Sequence, residues 1–136
     1  MNPKDVRKVN PSVPVFGGPT GLDRNGLKAG ERVYSYGNSS LRGGVSLLSP
    51  KYGVTISGSA WTASVYTITP GIPGDSGSGF LNAQGKAVGV LSTVAIAPLP
   101  LSNGVGTLAK ELAFAQKHSG IPGLQLTKGT KRFSAP

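Results

Sequence analysis

The 136-residue sequence has no cysteine, a single histidine and only five acidic residues. Without cysteine there is no disulfide framework and no thiolate metal site, and thiol usage says nothing about the redox compartment. No metal or other cofactor is expected. The longest apolar run, from Ala87 to Ala97, meets Pro98 and Pro100. It is too short to span a bilayer and is broken by the prolines, so no membrane partner is expected. The opening residues Met1 to Lys8 are polar and lack the apolar core of a signal peptide. The chain is therefore expected either to be cytosolic as made or to start downstream of its natural beginning.

Basic residues are plentiful. Fourteen Lys and Arg against five Asp and Glu give a formal charge of +9, which raises the question of a polyanionic partner. The distribution argues against one. The cations are scattered singly from Arg24 to Lys117 and cluster only at Lys4/Arg7/Lys8 and Lys128/Lys131/Arg132, with no interleaved aromatic platform. A solvated basic surface is the simpler reading, and nucleic acid is not the expected partner.

Twenty-one glycines and eleven prolines punctuate short β-rich runs, the pattern of an all-β domain with frequent turns. Val33 to Tyr36, Val45 to Leu48, Val54 to Ser57 and Trp61 to Thr69 read as strands. Phe80 and Leu81 lead through the turn-forming set Asn82-Ala83-Gln84-Gly85 into a returning strand, Ala87 to Ser92, which makes a hairpin. One helix is predicted from Leu108 to His118, where Leu108, Leu112 and Ala115 share a face, with Gly120 and Pro122 as the stop. Residues 1–29, dominated by Pro, Gly, Asn and charge, read as an irregular segment, linker or edge structure. Residues 121–136 read as a polar tail.

The hairpin follows Gly74-Asp75-Ser76-Gly77-Ser78-Gly79. A serine between glycines and preceded by aspartate has the form of a nucleophile on a tight turn. Serine chemistry also needs a base for the hydroxyl proton and a carboxylate to orient that base. The three known chain orders of the triad require a histidine before the serine or an aspartate after it, and this sequence has neither. His118 lies well after Ser76 on the predicted helix, where it suits the negative end of the helix dipole. Lys86, the nearest downstream cation, reads as a solvated turn residue rather than a base. The turn is also not the Gly-x-Ser-x-Gly elbow of α/β-hydrolases, because position 78 is serine and a hairpin follows.

The order of Gly74 to Ser78, hairpin, Val88-Gly89-Val90-Leu91-Ser92, Asn103-Gly104-Val105-Gly106 and a terminal helix resembles the C-terminal barrel of trypsin-like (chymotrypsin-fold) serine proteases, and more narrowly bacterial secreted members. The resemblance covers roughly Gly30 to Gly120. It implies that Ser76 is the acyl-accepting nucleophile and that the N–H groups of Gly74 and Ser76 form the oxyanion hole. It implies that Asp75 is a buried structural carboxylate paired with a cation, whose identity the sequence does not give. Ser92, Thr93 and Val94 would line the substrate site, and Pro70 falls at the base of the primary specificity pocket. No carboxylate stands there, so small or apolar side chains rather than Arg or Lys are the expected preference.

The expected fold is thus all-β, a chymotrypsin-like antiparallel barrel spanning residues 30–120 with a C-terminal α-helix. The expected role is the nucleophile-bearing half of a serine endopeptidase acting on polypeptide. Its partner would be an N-terminal barrel carrying the absent His and Asp, and the resemblance implies secretion. Two other readings stand beside it: a catalytically silent binding or scaffold module of the same fold, and a basic nucleic-acid-binding domain.

Overall fold

The structure is a computed structural model and describes residues 2–94 and 102–136. The apolar run's distal part and its Pro98 and Pro100 breaks lie outside the described residues. The described residues form seven strands: β1 (Gly21–Leu22), β2 (Arg32–Tyr36), β3 (Pro50–Gly58), β4 (Thr62–Thr67), β5 (Gly79–Asn82), β6 (Lys86–Val94) and β7 (Asn103–Thr107). Six of them close a ring in the order β2-β3-β4-β7-β6-β5 and back to β2, with every neighbouring pair antiparallel. The chain is therefore a six-stranded antiparallel barrel. The extra strand, β1, runs parallel to the start of β6.

Alternation along the strands sorts side chains to the two faces of the wall. Val33, Val65, Phe80, Val88, Leu91 and Val105 fill the interior with Leu27 and Ala63. Tyr34, one residue from Val33, joins a second cluster with Phe16, Leu81 and Ala87. That second cluster is completed by the flanking segments. Val13, Leu126, Phe133 and Ala135 pack against it, and the Phe16 ring meets Tyr52 edge-on at 5.2 Å. The two segments also bond to each other: Ser12 Oγ accepts from the Thr130 and Lys131 N–H groups, both at 2.9 Å, and Ser134 N–H donates to the Phe16 carbonyl at 2.8 Å. A short two-segment strap thus lies on the barrel, formed by stretches whose composition reads as linker and tail.

The segment expected as a strand at Val45 to Leu48 is instead a 3-10 turn, Ser46–Leu48. Gly43 and Gly44 both take positive φ just before it, and Leu47 is 88% exposed. Among the described residues, this exposed segment, entered through two left-handed residues, has no neighbouring strand to bond. The helix, α1, spans Leu108–His118 as its periodicity predicts and packs on β6 and β7. Its Leu108, Leu112 and Ala115 face is only half-buried. Among the described residues no helix is long and apolar enough to cross a membrane.

Candidate functional site

The loop from β4 to β5 is built around two successive tight turns. Asp75 N–H donates to the Ile72 carbonyl at 3.0 Å and Ser78 N–H to the Asp75 carbonyl at 3.0 Å. The first turn has Pro73-Gly74 at its centre and the second Ser76-Gly77, with Gly74 at φ 93° and Gly77 at φ 84°. Positive φ at the third position after an ordinary second one marks type II turns, which is why glycine stands there twice. The second turn is tied to β6, since Gly77 N–H donates to the Leu91 carbonyl and Leu91 N–H to the Ser78 carbonyl. The start of the loop is held by buried Asn103, which accepts from Gly71 N–H at 2.7 Å and donates to Thr67 Oγ1 and the Val65 carbonyl.

These bonds leave the turn residues in contrasting states. Ser76 is exposed, whereas Asp75 beside it is fully buried. Among the described residues, neither the Ser76 hydroxyl nor the N–H groups of Gly74 and Ser76 has a protein hydrogen-bond partner. Two backbone donors and one hydroxyl are therefore open to an oxygen from outside. Ser39 braces the same turn, donating from Oγ to the Pro73 carbonyl at 2.5 Å.

The cation that the Asp75 reading left unnamed is two cations. Arg42 Nη2 pairs with Asp75 Oδ2, and Lys51 Nζ lies 3.0 Å from the same oxygen. The Ile72 and Ser39 N–H groups add bonds of 3.1 Å each. Both cations also donate to the Pro70 carbonyl, at 3.1 Å from Arg42 and 3.2 Å from Lys51. Burial on its own would raise the Asp75 pKa. The hydrogen bonds from Arg42, Lys51 and Ile72, with the charge of Lys51, outweigh it and hold the carboxyl below its ordinary range. Burial pushes the Lys51 ammonium below the usual lysine value; the Asp75 bond and charge offset part of this and Arg42 adds to it. Close packing leaves no room to spare here, because a Cβ on Gly37 would overlap the Asp75 carboxyl.

The residues expected to line a substrate site fall in two places. Pro70 is half-buried and turns its carbonyl to the two cations. Val94 lies close to that stretch, since a Cβ on Gly71 would come 3.4 Å from Val94 Cγ2. Ser92 and Thr93 are exposed at a β-bulge in β6, and the Ser92 hydroxyl donates to the Gly104 carbonyl at 3.2 Å. Both line a groove of about 340 Å³ with Ser57, Ser64 and Gly104, and neither Ser76 nor Pro70 reaches its wall. Leu91, bonded to the serine turn, links the two regions. His118 sits at the exposed end of α1, its ring 4.4 Å from that of Phe114, and Lys86 is exposed. Comparison with protein-family models and with curated proteins returns no match to this chain.

Arg42, Lys51, Ser39 and Asn103 carry the architecture of the turn, and sequence reasoning did not find them. The sequence pattern around Lys51 pointed the other way. In β3 the apolar residues Tyr52, Val54 and Ile56 alternate with Lys51, Gly53 and Thr55, and it is Lys51 and Thr55 that are buried while Val54 and Ile56 are 45% and 39% exposed. Alternation alone would put Tyr52, Val54 and Ile56 inside, so only the closed barrel reveals the buried lysine.

Proposed function

We propose that this chain is the nucleophile-bearing part of a trypsin-like, chymotrypsin-fold serine endopeptidase, with Ser76 as nucleophile. The observation that carries this reading is the turn itself. An exposed serine hydroxyl stands with two backbone N–H groups, at Gly74 and Ser76, that have no partner among the described residues, over a buried and doubly paired Asp75. The six-stranded antiparallel barrel and terminal helix agree with the architecture that the resemblance implies. In this reading Ser76 Oγ attacks a peptide carbonyl, forming a C–O bond while the two N–H groups receive the developing oxyanion. The C–N bond then breaks, the serine proton passes through a base to the leaving amine, and water later hydrolyses the acyl-enzyme.

The base and its orienting carboxylate come from outside the residues described, in an N-terminal barrel that carries His and Asp. Polypeptide is the substrate, with Pro70, Ser92, Thr93 and Val94 setting side-chain preference toward small or apolar groups. Secretion is part of this reading, and its support is the resemblance to bacterial secreted enzymes.

The test is fluorophosphonate labelling read by mass spectrometry, with and without imidazole as a stand-in base. The chain alone should not hydrolyse peptide or ester substrates above background. With imidazole, label should collect on Ser76 in preference to the other serines, and Ser76→Ala should abolish it. Label spread evenly over the exposed serines would overturn the nucleophile reading.

A further inference from the structure

Behind the serine turn lies an excess of buried charge: two cations, Arg42 and Lys51, face one carboxylate, Asp75, with side-chain exposures of 6%, 0% and 0%. One pairing would neutralise Asp75, so the second cation demands a reason. A surplus ammonium in the interior is costly. Both cations make the same two contacts, to Asp75 Oδ2 and to the Pro70 carbonyl. They differ in what they are attached to. Arg42 ends a 3-10 turn, Ser40–Arg42, and is followed by two glycines with positive φ. Lys51 belongs to β3, where it pairs with Ser35 of β2, and from Gly53 onward the same strand also pairs with β4 within the barrel wall.

We infer that Lys51 is a positioning residue for the Ser76 turn: its ammonium joins the Pro70 carbonyl and the Asp75 carboxylate, and so fixes both ends of the segment carrying Gly74 to the barrel wall. This deepens the nucleophile reading and rests on it for its catalytic meaning. Arg42 closes the outer loop over the carboxylate, and Lys51 sets the height of the turn relative to β3. The charged groups facing Lys51 are Asp75 from the turn and Arg42 from the preceding loop, while its register partner on β2 is uncharged Ser35. Because burial already lowers its pKa, loss of the Lys51 proton falls at less alkaline pH than in a free lysine.

The role separates from a merely structural one by where the damage appears. Lys51→Met keeps an unbranched side chain of similar length and leaves Asp75 and Arg42 as a balanced pair. Global stability should be unchanged or higher. Amide exchange at Gly77 and Ser78 should nevertheless speed by about tenfold, the equivalent of one net hydrogen bond lost, with the core amides of Val33 and Phe80 unaffected. In the parent chain, carbon-detected NMR should show the Gly74 and Ser76 carbonyls shifting together with the Lys51 Nζ signal, at a midpoint below the ordinary lysine value of about 10.4. Turn exchange that is unchanged, or that speeds only in step with the core, overturns the inference. So do turn carbonyls that stay fixed while Lys51 titrates. If Lys51→Met does not fold, the titration of the parent chain decides alone. Neither measurement uses a base or a substrate, so this role can fail with Ser76 still nucleophilic, and can hold with Ser76 inert.

Discussion

Replacing Asp75 with asparagine removes one negative charge and keeps the side-chain shape. Four donors converge on the carboxylate: Arg42 Nη2, Lys51 Nζ and the N–H groups of Ser39 and Ile72. In Asp75→Asn the two buried cations face each other with no anion between them, and the new amide NH₂ points at groups that are themselves donors. Breaking a buried ion pair from one side costs about 3–5 kcal/mol. Lys51 offers a limit to that cost, because it can shed its proton. From an unfolded value near 10.4, deprotonation costs about 4.6 kcal/mol at pH 7 and about 1.9 kcal/mol at pH 9. The variant should therefore lose about 3–5 kcal/mol at pH 7, a large share of the roughly 5–15 kcal/mol that holds a domain folded, and distinctly less at pH 9. Urea unfolding followed by far-UV circular dichroism at the two pH values measures both quantities. The double variant Asp75→Asn/Lys51→Met should recover about 2 kcal/mol or more at pH 7, since only one unpaired cation is left. A loss under about 1 kcal/mol, or a loss that neither pH 9 nor the second substitution reduces, would refute the picture of a surplus buried charge.

The same groups set the pH dependence. Asp75 is held below its ordinary value, so its contribution to stability is complete above about 3.8 and is lost as pH falls through its folded-state value. Thermal melts should fall steeply on the acid side of that point, and Asp75→Asn should flatten the fall. On the alkaline side the sign reverses: the unfolded chain holds a Lys51 proton that the folded chain gives up, so stability should rise with pH until about 10.5. The two turn glycines should respond unequally to alanine. Gly77→Ala meets open space and pays only for φ 84°, about 1 kcal/mol, whereas in Gly74→Ala the φ of 93° is compounded by a contact of 2.8 Å with Ser39 Oγ. Chemical denaturation of the pair should place Gly74→Ala lower, and equal losses would show that Ser39 yields.

Much of the candidate site was legible because it depends on local chemistry. Gly74 and Gly77 flank Ser76 since the two type II turns need positive φ at those positions, and that requirement is written in the chain. The Phe80 to Ser92 hairpin and the Leu108 to His118 helix are likewise local, set by turn residues and by periodicity. Val45 to Leu48 misled for the opposite reason: β-favouring side chains form a strand only beside another strand, and among the described residues none lies there.

What the sequence alone determined about this protein is therefore the conformation of short stretches: the serine turn, the hairpin, the helix and the alternating strands. Tertiary structure alone decided which distant residues meet. Arg42 and Lys51 stand 33 and 24 positions before Asp75, and nothing in their own neighbourhoods marks them as its partners. Lys51 is buried because barrel closure turns that face of β3 inward toward the carboxylate, while the apolar face of Val54 and Ile56 is left outside. The strap formed with residues 126–136 follows the same logic. Phe16 and Phe133 sit in polar, proline-rich and glycine-rich sequence, and only the Tyr34 and Tyr52 rings on the finished barrel give them an apolar surface to bury against.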